Sequence, residues 1–138
     1  MADIVDRFAA LWQGREGVYG EVWGECVERT LTKADWESHL FDGGSVGIYP
    51  LVPNATGECV VHWGATDIGL GFDMLVLAKN VQTALTALGI SAFIEKSKGK
   101  GYHVIAHVGE WIPAEWMRNT FLVAHQLAGV KATEVYPK

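Results

Sequence analysis

The chain has 138 residues, 49% apolar and 20% charged, and a formal net charge of -5. That length suffices for one domain with a real core and is too short for two, and the composition excludes a disordered or low-complexity chain. The acidic balance argues against a nonspecific nucleic-acid coat. The charge is uneven, however. Residues 1–69 hold four Lys/Arg against eleven Asp/Glu, whereas residues 70–138 hold seven against five, so an electropositive site belongs to the second half. The longest apolar runs are strand-sized, and Met1-Ala2-Asp3 lacks the basic start of a signal peptide; a soluble, cytoplasmic protein with no membrane partner is expected. Cys26 and Cys59 form no CxxC pair, so free thiols are expected rather than a bridge or a zinc site.

Asp3 to Trp12 reads as a short amphipathic helix, with Ile4, Phe8 and Leu11 at helical spacing and Asp3 as N-cap. Gln13 to Gly24, rich in glycine and aromatics, reads as loop or irregular strand. Thr32 can cap a helix running to His39, and Gly43-Gly44 follow its end. Val46 to Val52 and Glu58 to Asp67 are strand-like and flank a turn-rich Pro53–Gly57 segment. Asp73 to Leu88 is the clearest helix: Leu77, Val81, Ala84, Leu85 and Leu88 share a face, and Gly89 ends it. Strands are expected over Ser91 to Glu95 and Tyr102 to Val108, joined by Lys96-Ser97-Lys98-Gly99-Lys100-Gly101. Pro113 opens a last helix at its first-turn position and Gly129 closes it; Thr133 to Tyr136 suits a final short strand. The order strand, helix, strand over 58–95 suggests a βαβ unit with a parallel pair. The fold class is therefore α+β (α/β-like), a single domain over 1–138 with a small mixed sheet and flanking helices.

Three stretches carry candidate chemistry. Asp67 closes a strand that feeds a helix, where ligands gather and where a carboxylate suits a hard divalent cation; the alternative is that Asp67 and Gly69 only make the turn. In Glu95–His103, glycines free backbone N–H groups and lysines add point charges for a phosphate; the alternative is a solvated hairpin whose lysines protect a sheet edge. His103, opening the next strand, can bond a phosphate or a nucleotide. His62 and His107 read as packing residues, and His39 and His125 carry no ligand spacing. In the C-terminal stretch, Glu134 offers a second carboxylate and Lys138 a phosphate contact, unless this is an ordinary polar terminus.

Taken in order, these stretches resemble the archaeo-eukaryotic primase superfamily, and in particular the small primase-polymerases of actinobacterial phages and the primase domain of the TOTE conflict systems. Trp63-Gly64-Ala65-Thr66-Asp67-Ile68-Gly69 looks like that family's strand ending in Asp-x-Asp. Ile94 to Val104, with Ser97 and His103, looks like its Ser-x-His-type element, and Glu134-Val135-Tyr136-Pro137-Lys138 like its third, acidic motif. Upstream, Trp12-Gln13-Gly14-Arg15 with Tyr19-Gly20, His39–Gly43 and Gly47–Leu51 look like its N-terminal segment.

The resemblance implies template-directed nucleotidyl transfer with Mg2+ or Mn2+. Asp67 and Glu134 would hold metal. Ser97 and His103 would grip the triphosphate, assisted by Lys98 and Lys100, with Lys138 as a further phosphate contact and Arg15 approaching the nucleotide. Asp67, His103 and Glu134 would be the catalytic set. Two departures matter: Gly69 stands where the family has its second aspartate, and family members usually continue past the point matching Lys138 with further strands and a basic surface. A degenerate or truncated primase-polymerase domain of a phage-infected or bacterial cell is thus one expectation, its hold on a DNA template weakened by the acidic charge. The alternatives are a non-catalytic nucleotide- or phosphate-binding protein, acting as inhibitor or nucleotide sponge, and a small protein-interaction domain with a protein partner.

Overall fold

A computed structural model describes residues 3–138. The N-terminal part forms a thin layer of its own. Helix α1 (Ile4–Leu11) starts at Asp3, whose carboxylate accepts the Asp6 N–H at 2.9 Å. A two-residue antiparallel pair, β1 (Tyr19–Gly20) and β2 (Cys26–Val27), precedes α2 (Lys33–Phe41). Thr32 and Asp35 close a reciprocal capping box at the start of α2, and the Arg29 guanidinium donates to both Asp35 oxygens at 2.7 Å. That fork holds the Asp35 carboxyl far below the usual carboxylate range. Phe8 of α1 meets Trp36 of α2 edge-on at 5.8 Å, which joins the two helices. The strand expected over Val46 to Val52 shrinks to an isolated bridge at Gly47 and to β3 (Val52–Pro53); Gly47 pairs its backbone with Gly20 instead of entering the main sheet.

The rest of the chain runs β4 (Cys59–Ile68), α3 (Met74–Ala87), β5 (Ala92–Lys96), β6 (Tyr102–Pro113), α4 (Ala114–Ala128) and β7 (Glu134–Tyr136). Its elements follow the expected boundaries closely, except that β6 extends five residues further, through Pro113, which caps α4 instead of filling its first turn. In the sheet, β4 lies between β6 on one side and β3 and β7 on the other, with β5 outside β6. Every pair is antiparallel. The expected parallel pair and mixed sheet are therefore corrected: β4 and β5 do flank α3, but β6 is inserted between them, giving a split βαβ arrangement within a β-α-β-β-α-β order. The cause is local. The short 97–101 connection, closed by Ser97 N–H on the Gly101 carbonyl at 3.0 Å, folds β6 directly back on β5 as a hairpin. A long central β6 then pairs along both of its edges.

Helices α3 and α4 cover one face of this sheet. Val61, Ile68, Val104 and Ala106 meet Val81, Leu85, Met117 and Phe121 there in one buried cluster. Gly64 lets α4 approach closely, since a Cβ at that position would fall 2.5 Å from Met117 Cγ and 2.9 Å from the Phe121 ring. Two polar side chains sit in this core, Thr66 and His125. His125 donates Nδ1–H to the Val130 carbonyl at 3.0 Å, and its Nε2 meets the Thr66 hydroxyl at 2.8 Å. The same hydroxyl lies 3.0 Å from the Glu134 carbonyl, so this chain of contacts ties α4 and β4 to β7.

Burial lowers the His125 and His107 titrations below the ordinary imidazole value. Their contribution to stability is complete above the unfolded-chain value near about pH 6.5 and is lost as pH falls through the lowered folded values, because only the unfolded chain takes up the proton in that window. Urea unfolding at pH 7.5 and at pH 5 should show a lower midpoint at pH 5, and His125→Gln should flatten the difference; equal midpoints for the natural protein would contradict the buried neutral rings.

Candidate active site

Alternation along each strand sorts side chains between the helix-covered face and the opposite one. Near Val61 and Trp63 the β4–β6 register shifts: between the pairs Val61–Ile112 and Trp63–His107, four residues of β6 stand against one of β4. Beyond that irregularity Gly64, Thr66 and Ile68 face the helices, and Trp63, Ala65 and Asp67 face the other way. On that second face the N-terminal layer covers one end of the sheet. Trp12 stands edge-on to Trp63 at 5.1 Å and to His107 at 4.8 Å, and Trp63 Nε1 donates to the Gln13 carbonyl at 3.0 Å. The other end stays open.

A cavity of about 470 Å³ lies where the cover stops. Its apolar wall comes from Trp12, Ile48, Tyr49, Pro50, Leu51, Trp63 and Ile105, and its polar end from Asp67, Glu95, His103 and Lys138, with Tyr136 between. That size and division suit a small organic ligand with a charged end.

The polar end is one row across four strands. Asp67 of β4 is register partner to His103 of β6 and also to Glu134 of β7, and His103 is in turn partner to Glu95 of β5. The order Glu134, Asp67, His103, Glu95 thus crosses the sheet at a single level. Glu95 accepts from His103 Nδ1 at 2.8 Å. Glu134 accepts from the Lys138 ammonium at 2.8 Å, and that ammonium also sits 5.1 Å from the Tyr136 ring centre. Lys138, and after it the Tyr136 hydroxyl, lower the Glu134 titration, while burial raises that of Tyr136. Asp67 is different: its half-buried carboxylate has no hydrogen bond among the described residues and stands directly opposite a second carboxylate. Like charges so placed are destabilising, and a cation is what would relieve them.

Asp67, His103, Glu134 and Lys138, named from the sequence, are therefore brought together. Ser97, Lys98 and Lys100 are not in the cavity wall; they lie in the connection at the tip of the β5–β6 hairpin, with both lysines exposed. That hairpin is nonetheless rooted at the same end of the sheet, since a Cβ on Gly101 would fall 2.6 Å from the Ile68 carbonyl and 3.1 Å from Gly69 Cα. Arg15 is held elsewhere: its N–H donates to the Tyr49 carbonyl at 2.8 Å, and it borders a neighbouring hollow of about 210 Å³. Neither Glu95, whose partnership with His103 depends on the hairpin register, nor the aromatic wall, which depends on how the N-terminal layer docks, could be assigned a role from sequence.

Among the described residues, no three His, Cys, Asp or Glu side chains converge as a ready group for a metal ion. Asp67 and Glu134 as a pair do fit one hard cation, because Mg2+ takes one or two carboxylates and completes its shell with water and substrate phosphates. At Gly69, where the resemblance implies a second aspartate, no side chain is present to bridge a second cation. No protein-family model matches the chain, and no curated protein matches it. Among the described residues no helix is long and apolar enough to cross a membrane.

Gly69 can be tested by addition. It lies two residues past Asp67, and a Cβ there would sit 3.7 Å from both Asp67 carboxylate oxygens, an ordinary contact. Gly69→Asp should therefore fold normally and tighten Mn2+ binding by about tenfold or more, read by calorimetry. Unchanged Mn2+ affinity in a folded variant would mean that Asp67 is not a cation ligand.

Proposed function

We propose that the chain is a primase-polymerase-like domain that binds a nucleoside triphosphate with one divalent cation in this cavity, and whose transfer chemistry is weak or lost. The observation that carries the reading is the cross-strand row Glu134, Asp67, His103, which unites one candidate from each of the three stretches that resemble the primase superfamily.

Charge decides the form of the ligand. The carboxylates of Asp67 and Glu95 in the cavity wall, and of Glu134 beside Asp67 in register but outside that wall, outnumber the single ammonium of Lys138. A bare triphosphate would be repelled, whereas a triphosphate carrying Mg2+ or Mn2+ brings the charge that Asp67 and Glu134 lack. The base and sugar would lie along Trp12, Tyr49 and Leu51. The phosphates would face Lys138, with Lys98 and Lys100 at the hairpin tip within the same electropositive half of the sequence, and His103 would accept from a hydroxyl of the sugar. The bound cation would neutralise charge developing on the leaving oxygen. With Gly69 in place of a second motif aspartate, one of the two ions that such transfer uses has no bridging ligand, which favours nucleotide retention over efficient extension.

A purely non-catalytic nucleotide binder, acting as an inhibitor or a sponge, is the second reading, and Gly69 is the observation in its favour. Isothermal calorimetry with ATP and GTP should show binding only when Mg2+ or Mn2+ is present, weakened about tenfold or more by Asp67→Asn. No heat at millimolar nucleotide would remove the site. Primer extension by the natural chain should be faint or absent; robust extension that Asp67→Ala abolishes would overturn the degenerate reading and establish an active polymerase.

A further inference from the structure

His103 is half-buried beside the cavity, and Nδ1, one of its two ring nitrogens, is engaged by Glu95 at 2.8 Å. The two residues are register partners on neighbouring strands, so their side chains leave the sheet on the same face and the contact needs no special loop geometry. An ionised carboxylate only accepts hydrogen bonds. Nδ1 must therefore carry the proton, and the neutral ring keeps its lone pair on Nε2. We infer that Glu95 is a positioning residue: it commits Nδ1 of His103 to the protein and leaves Nε2 as the one ring atom offered to a ligand in the cavity.

This assignment deepens the nucleotide-binding reading and rests on it for its purpose, although the geometry itself does not. The same second-partner logic fixes the tautomer of imidazoles at metal and catalytic sites. Without Glu95 the ring could turn about its χ2 axis, which puts a carbon where Nε2 stood, or exchange tautomers, which replaces the acceptor by a donor; in either case a ligand hydroxyl loses its acceptor. Asp67, on the other side of His103, is a register partner with no hydrogen bond to the ring, so it does not duplicate the role of Glu95. Side chains at Glu95 and His103 remain partly open to solvent, 46% and 36% exposed, so Glu95 can be replaced without opening the core.

The test reads the ring nitrogens directly by long-range 1H–15N correlation of the ligand-free protein at about pH 8.5, two units above the ordinary imidazole value, with His103 assigned by loss of its signals in His103→Gln. His39 and His125, whose Nδ1 atoms face the Gly44 and Val130 carbonyls, provide internal references for the same tautomer. His103 should carry its proton on Nδ1 in the natural chain. Glu95→Ala should shift it toward the Nε2–H form, and Glu95→Gln, whose amide oxygen still accepts, should restore the original pattern. In Mg-ATP calorimetry, Glu95→Ala should weaken binding about fivefold and should add little on top of His103→Ala. A natural chain with Nε2–H on His103, or an unchanged tautomer in folded Glu95→Ala, would overturn the assignment. A tautomer that responds as described in a protein that binds no Mg-ATP would uphold the role of Glu95 and remove the nucleotide reading instead.

Discussion

The pairing of β4 along both of its edges is the constraint on which the rest of the structure depends. Because β6 and β7 flank β4 in antiparallel register, residues far apart in the chain meet at one level of the sheet: Asp67 stands between His103 and Glu134. Two carboxylates side by side oppose that pairing electrostatically. Lys138 answers the charge of Glu134, and the Thr66 hydroxyl, held by His125 beneath the sheet, ties β7 to β4 from the other face. Apolar burial under α3 and α4 thus holds in place an arrangement of charge that the open face would not choose by itself. A well-packed layer thus supports a locally unfavourable placement of charge, the kind of conflict expected at functional sites.

The two faces of the sheet divide the labour. The helix-covered face is closed and dry, and Gly64 shows how tightly α4 sits on it. The other face is covered at one end by a small aromatic layer built from α1, α2 and the 46–51 segment, and the cavity is the step at its margin. An apolar wall and a carboxylate-rich row within one cavity suit a ligand with a flat organic part and an end that brings positive charge, and the proposed metal-bound nucleotide has that form where a free phosphate does not.

Much of this was legible in the sequence, for reasons that can be located. Asp73 caps α3 and Gly129 terminates α4 as their residue types suggest, because caps and αL ends are decided locally. Asp67, His103 and Glu134 were recognisable as strand-end residues, since the end of a strand is also a local property. What the sequence could not supply is which strand lies beside which. The strand–helix–strand pattern of 58–95 is the same whether the two strands touch or a third separates them; the hairpin at 97–101 puts β6 beside β5, and the long-range pairing of β6 with β4 completes the insertion. Glu95 was invisible for the same reason: its partner is assigned by register, eight residues away along the chain. The lysines of the hairpin stand out in the sequence for their charge, yet none of them lines the cavity, and Lys138 is the ammonium within its wall.

The central claim is that Asp67 and Glu134 together hold a divalent cation that carries a nucleotide into the cavity. The most direct measurement is the paramagnetic broadening of backbone amide signals by substoichiometric Mn2+, recorded with and without ATP. The account predicts selective broadening around Thr66, Asp67, Glu134 and Val135 that strengthens when ATP is added. Broadening confined to other acidic surfaces, or none that depends on ATP, would contradict it.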